Sequence, residues 1–161
     1  MARLVLSLAK KLRPPMVINL TQHPTSDDQI EEGVVEPPNK EAVQELLTFE
    51  EPPSSSTMRE RADKLAEVAE EHNAAMIGGM PAFMGHLERA LVRKGVAPIY
   101  SFTQRKSVEV QEGGETVKKT VFSHEGWTTP LVVVRYMDHA KTAQASRDEE
   151  GEWSLETEIM W

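Results

Sequence analysis

The 161-residue sequence has no cysteine. Disulfide staples, thiolate nucleophiles and thiolate metal ligands are excluded with it. No apolar run approaches the roughly 20 residues that a membrane-spanning helix needs. No membrane partner is therefore expected, and the expected compartment is cytoplasmic. The sequence holds no Walker A lysine motif and no complete G-x-G-x-x-G, which disfavours a dinucleotide site of the dehydrogenase type. No G-x-S-x-G elbow supports a Ser-His-Asp nucleophile. The five histidines never fall at metal-ligand spacing, so no metal and no other cofactor is expected. There is no internal repeat.

Positive charge is also short. The net charge is −8, and it is unevenly placed. Residues 1–25 carry four cations and no acid. Residues 26–71 carry 14 acids against four cations, residues 72–125 five against seven, and residues 126–161 seven against three. Long nucleic acid needs a broad basic face, and none is present. A small anionic ligand needs only a local cluster, which the third block can supply. A hydrophobic content of 39% and a charged content of 27% fit one globular domain with a real core.

What is there is a strand–turn–helix–strand signal. Ala74-Ala75-Met76-Ile77 is apolar and ends in Gly78-Gly79-Met80-Pro81. An amphipathic segment, Ala82 to Lys94, follows and stops at Gly95. Val96-Ala97-Pro98-Ile99-Tyr100 then opens into Ser101-Phe102-Thr103-Gln104-Arg105-Lys106. This predicts a βαβ unit. Open parallel sheets bind ligands beyond the carboxyl ends of their strands.

An earlier strand, Met16 to Leu20, exits through Thr21-Gln22-His23-Pro24, and Pro24 blocks its continuation. Ser26 is a cap for a helix over Asp27 to Glu32. Asn39 caps Lys40 to Leu47, and Thr57 caps Met58 to His72. Gly113-Gly114 between alternating segments predicts a hairpin, Ser107 to Glu112 with Thr116 to Phe122. Residues 1–15 form an N-terminal extension, basic and partly apolar but a poor signal peptide. Residues 128–161 form a C-terminal β extension, with strands over Pro130 to Tyr136 and Trp153 to Trp161. That extension could complete the sheet, cover an edge or pair with a second subunit.

Three groups of residues carry possible chemistry. Asn19, Thr21, Gln22 and His23 lie at the end of the first strand. His23 is a candidate acid, base or phosphate donor; the alternative is a loop histidine with a structural hydrogen bond. Gly78 and Gly79 allow close approach of a ligand to the backbone, and the helix that follows favours an anion; the alternative is a tight turn. Ser101, Thr103, Arg105 and Lys106 lie beyond the second βαβ strand, where Arg105 could grip a phosphate in two places; the alternative is a solvated turn. Lys118, Lys119 and His124 are assigned to the hairpin's own structure.

At these residues the chain resembles the small CRISPR-ancillary proteins of the Csx type. The resemblance lies in Asn19 to Gln29, Gly95 to Arg105 and Val117 to His124, within residues 16–127. It implies an α/β fold: a Rossmann-like (CARF-like), mostly parallel sheet with flanking helices and a β-hairpin, to which this chain, departing from the family, adds the C-terminal β extension, expected to pack on the same domain. It also implies a homodimer whose paired loops hold a cyclic oligoadenylate. Cleavage would need no metal: a positioned ribose 2′-hydroxyl attacks the adjacent phosphodiester and leaves a 2′,3′-cyclic phosphate. His23 and Arg105 would be catalytic, stabilising phosphate charge. Asn19, Thr21, Gln22, Gly78, Gly79, Ser101, Thr103 and Lys106 would bind the ligand. The alternatives are a non-catalytic sponge or sensor with the same site, and a protein-interaction module of a mobile element.

Overall fold

The computed structural model describes residues 16–161; the expected extension at 1–15 lies outside them. The fold is α/β and Rossmann-like, as expected. Its main sheet has five strands in the order β2-β1-β3-β4-β5. β1 (Val17–Leu20) pairs in parallel with β2 (Val34–Val35) and with β3 (Ala74–Ile77). β3 pairs in parallel with the start of β4 (Ala97–Glu112). β5 (Glu115–Thr128) returns antiparallel along β4. β1 and β3 are buried at every residue, as strands covered on both faces must be.

Four helices lie between these strands. α1 (Asp27–Glu31) starts in a capping box made by Ser26 and Gln29, the S-x-x-Q signature of a helix start. α2 (Lys40–Leu47) is capped by Asn39. α3 (Ser55–Ala69) is capped by Ser54 rather than Thr57. Ser54 is the first residue after Pro52-Pro53, and its Oγ accepts from Thr57 N at 3.1 Å, so Thr57 sits inside the first turn. α4 (Pro81–Arg93) opens on a proline, whose missing N–H costs nothing at that position.

The two faces of the main sheet are covered differently. Ile18, Leu20, Ala75 and Ile77 pack against Leu65 and Ala66 of α3 and Phe83, Leu87 and Leu91 of α4. Val17, Ala74, Met76, Ala97 and Ile99 point the other way and meet Ala145 and Trp153. These two belong to a second, antiparallel sheet of β6 (Val132–Arg135), β7 (Ala140–Arg147) and β8 (Trp153–Met160), in that order. The C-terminal strands thus cover a face of the main sheet and do not join it. β7 was not expected, because Ala140 to Arg147 is poor in the residues that favour strands. It forms as the central strand between two partners, where context outweighs propensity.

β4 does not end near Tyr100. Beyond Ile99 it has lost β3 as a neighbour and pairs only with β5. The result is a two-stranded arm, exposed over most of its length. It turns at Gly113-Gly114, whose φ values of +59° and +81° fit a two-residue hairpin turn. Among the described residues, no helix is long and apolar enough to cross a membrane.

Trp153 is 5% exposed and joins the two sheets. Trp153→Ala is expected to cost about 3–5 kcal/mol, read as a fall in the urea midpoint at constant slope. An unchanged midpoint would mean that the second sheet does not hold this face.

Candidate functional site

In the order 2-1-3-4-5 the direction of winding reverses between β1 and β3, and the strand ends part there to leave a crevice. A cleft of about 510 Å³ occupies this position. From the expected site it gathers Thr21, Gln22, His23, Gly78, Gly79, Ser101 and Thr103. It adds Ser26, Gln29, Phe122 and His124. A larger depression, about 730 Å³, lies over the α2–α3 connection. Its lining includes Glu45, Glu50, Glu51, Pro52 and Pro53, with no imidazole.

Asn19 is not among the residues that line the cleft. It has no exposure, and its amide is fully engaged beneath the β1 loop. Nδ2 donates to His23 O at 2.9 Å, Thr25 Oγ1 at 3.1 Å and Glu36 Oε1 at 3.0 Å. Oδ1 accepts from Thr21 N at 2.9 Å and Thr21 Oγ1 at 2.7 Å. A buried amide must find such partners, and here they shape the loop. Glu36 braces it from outside, accepting from Thr25 N and Thr25 Oγ1, each at 2.5 Å. Burial works to raise the Glu36 carboxyl. The bonds from Thr25, Lys40 and Asn19 outweigh burial and hold it below its ordinary value of 4.5.

The opposite wall is the glycine turn. A Cβ on Gly79 would come within 3.3 Å of the Met84 methyl, and its φ of +154° is strained for other residues. Gly78 lies under the Thr21 methyl group, at 3.6 Å from a Cβ built on it. α4 begins directly after, with no side chain capping it.

The floor is a hydrogen-bond chain with a defined direction. Ser26 N donates to Gln29 Oε1 at 3.0 Å, which fixes the amide so that Gln29 Nε2 faces outward. Nε2 donates to Ser101 Oγ at 3.1 Å. Ser101 Oγ lies 2.6 Å from His124 Nδ1. A serine hydroxyl can accept from Gln29 and still give its own proton to Nδ1, which pairs with an imidazole protonated on Nε2. Nε2 is buried and has no hydrogen-bond partner; it faces Glu32 Oε1 at 3.5 Å. The other Glu32 oxygen accepts from Trp127 Nε1 at 2.6 Å and Arg147 Nη1 at 3.0 Å. Burial works to raise the Glu32 carboxyl, but these two bonds and the nearby positive charge lower it overall.

A β-bulge makes this possible. Ser101 pairs with Trp127 and Phe102 with Gly126, but Thr103 pairs with His124. Glu125 is the extra residue. In an unbroken ladder that paired Glu125 with Thr103, His124 would pair with Gln104 and face the other side of the arm, because a one-residue slip inverts every side chain. With it, His124 joins Ser101 on the cleft side, its ring against Trp127 at 4.4 Å.

Two expected residues lie elsewhere. Arg105 is outside the lining, its guanidinium 5.8 Å from the Phe122 ring centre. Lys106 is on the opposite face of the arm, paired with Glu125. Strand alternation separates these neighbours. Among the described residues, no lysine or arginine lines the cleft. Gln22 reaches Thr48 Oγ1 at 3.0 Å, tying the loop to α2. Gln29, Glu32, Phe122 and His124 were missed. The capping box could have pointed to Gln29, but only the bulge reveals His124.

A family model matches residues 15–128. The chain belongs to the Uncharacterized protein MJ1673 family. The MJ1673 match covers the whole cleft lining and Glu32, and ends on the last residue of β5. Arg147 and the three-stranded sheet lie outside the matched residues. Comparison with curated proteins and with solved structures finds no significant match.

Because folding lowers the Glu36 carboxyl, its contribution to stability is complete above the unfolded value and is lost as pH falls through the folded one. The difference in urea midpoint between wild type and Glu36→Gln should therefore be largest at pH 7 and shrink toward pH 3. Equal differences at both pH values would show that the carboxylate does not hold the loop.

Proposed function

We propose that this cleft binds a cyclic oligoadenylate and that the protein opens the ring at a phosphodiester without a metal ion. The observation that carries this is the convergence, at one switch point, of Thr21, Gln22, Gly78, Gly79, Ser101 and Thr103 from strands distant in sequence. Hydroxyls and amides suit ribose and base edges. Phe122, 69% exposed beside the cleft, offers a stacking face for adenine. The glycine turn lets a phosphate approach the backbone ahead of α4, where the helix dipole favours negative charge.

The volume bears on stoichiometry. About 510 Å³ lies within the range of small-ligand sites, about 300–1,000 Å³, and suits part of a nucleotide ring better than all of it. A homodimer that joins two clefts would hold the whole. With no lysine or arginine in the lining, phosphate contacts fall to backbone, hydroxyls and His23, with Arg105 beside Phe122 meeting charge outside the cleft.

A second function, a protein-interaction module, is favoured by the arm. Val108, Val110, Val117 and Val121 share one of its faces through the pairs Val108–Lys119, Val110–Val117 and Lys106–Val121. Val108, Val117 and Val121 are 36–39% exposed.

The test is incubation with labelled cyclic tri-, tetra- and hexa-adenylate in the presence of chelator, reading both binding and product. One ring should bind and be converted to a linear product. Phe122→Ala should weaken binding about tenfold or more, the scale of one lost base stack. Binding without product would make the protein a sponge or sensor. No binding of any ring would overturn the nucleotide function and leave the arm as the functional element.

A further inference from the structure

We infer that Ser101 is a nucleophile, with His124 as its base and Glu32 as the group that positions the imidazole. The inference rests on the proposed phosphodiester substrate for its reaction, but its geometry stands alone. The three residues are distant in sequence and meet only in the fold. Ser101 Oγ lies 2.6 Å from His124 Nδ1, within reach for proton transfer. The far nitrogen faces a carboxylate oxygen at 3.5 Å. That carboxylate is held on its other oxygen by Trp127 and Arg147. A nucleophile bound to a base, and the base oriented by a third group, is the arrangement that activates a serine on unrelated folds.

Two details favour chemistry over a purely structural network. The His124 side chain is 2% exposed, and its Nε2 faces a carboxylate oxygen at 3.5 Å. A buried imidazole with a hydroxyl at one nitrogen and a carboxylate facing the other has the geometry of a base and its orienting group. Nε2 faces the one Glu32 oxygen that takes neither the Trp127 nor the Arg147 bond, placed to stabilise an imidazolium. In addition, Ser101 lines the cleft, so its oxygen can meet a ligand while its base stays dry.

The reaction balances as follows. Ser101 Oγ attacks phosphorus and passes its proton to His124 Nδ1. The phosphorus–oxygen bond to the leaving ribose breaks, and His124 returns the proton to that oxygen, giving an alcohol and a phosphoserine diester. Water then attacks phosphorus, giving its proton to His124. The bond to Ser101 breaks, and the proton goes back to Oγ. The net change is one phosphodiester plus water to one phosphate monoester plus one alcohol. The ribose 2′-hydroxyl takes no part, unlike the route that the Csx resemblance implies.

The decisive probe is a fluorophosphonate, which phosphonylates activated serines with loss of fluoride. Peptide mapping should find the label on Ser101, with none in Ser101→Ala. His124→Gln, checked for folding by circular dichroism, should label at least tenfold more slowly. Glu32→Gln should slow labelling less. It should also disturb the imidazole nitrogen shifts, which in wild type should report a proton on Nε2. A folded protein that is not labelled at Ser101, or a folded His124→Gln that labels at the wild-type rate, overturns the inference. With ring substrates, a 2′-deoxy ring should still be cut, to a plain phosphate monoester. A ring cut only when its 2′-hydroxyl is present, to a 2′,3′-cyclic phosphate, overturns the serine route while the proposed function stands. Labelled Ser101 with no ring bound does the reverse: the nucleophile stands and the cyclic oligoadenylate function fails.

Discussion

Ser26 N–H donates to Gln29 Oε1 at 3.0 Å, and the orientation of the cleft floor descends from that bond. It closes the first turn of α1, as a capping box does in any helix. It also settles which end of the Gln29 amide meets Ser101. His124 Nδ1 meets the same hydroxyl, and its Nε2 faces Glu32. A local device for starting a helix is therefore the first link of a network that runs from α1 through β4 and β5 to Arg147 on β7. Turning the amide around would set an oxygen against Ser101 Oγ and undo the sequence of donors. Low dielectric makes such directed networks stiff, because each buried donor that loses its acceptor is costly.

Charge follows the same economy. Among the acids of residues 26–71, Glu32 and Glu36 are engaged by the fold on either side of the β1 loop and α1. Each accepts several hydrogen bonds, and each therefore stays ionised. No lysine, arginine, aspartate or glutamate lines the cleft itself. Its one carboxylate partner lies behind His124, where it can respond to a proton without repelling an anion directly.

The sequence was legible where a single segment carries its own signal. Buried apolar runs bounded by glycine or proline mark β1 and β3, Asn39 marks a helix start, and Gly113-Gly114 marks a hairpin turn. Most of the cleft's neutral lining was legible too, because Thr21, Gln22, Ser101 and Thr103 follow directly on strand ends. What was hidden depends on pairing. Ala140 to Arg147 becomes a strand only between two neighbours. Asn19 looks like a ligand group until its partners at positions 23, 25 and 36 are known. Arg105 and Lys106 look like one cationic pair until the strand runs through them and sends them to opposite faces. His124 looks like a hairpin residue until the bulge turns it inward.

The bulge at Glu125 has a consequence for how this architecture can vary. It fixes the register at the root of the arm, between Phe102 and Thr103 on one strand and His124 and Gly126 on the other. Everything beyond it is a plain ladder ending in two glycines. Residues could be added or removed at the tip in matched pairs, and neither Ser101 nor His124 would move. The arm is thus a module of free length attached to a site of fixed geometry. Its reach can change without disturbing the geometry at its base.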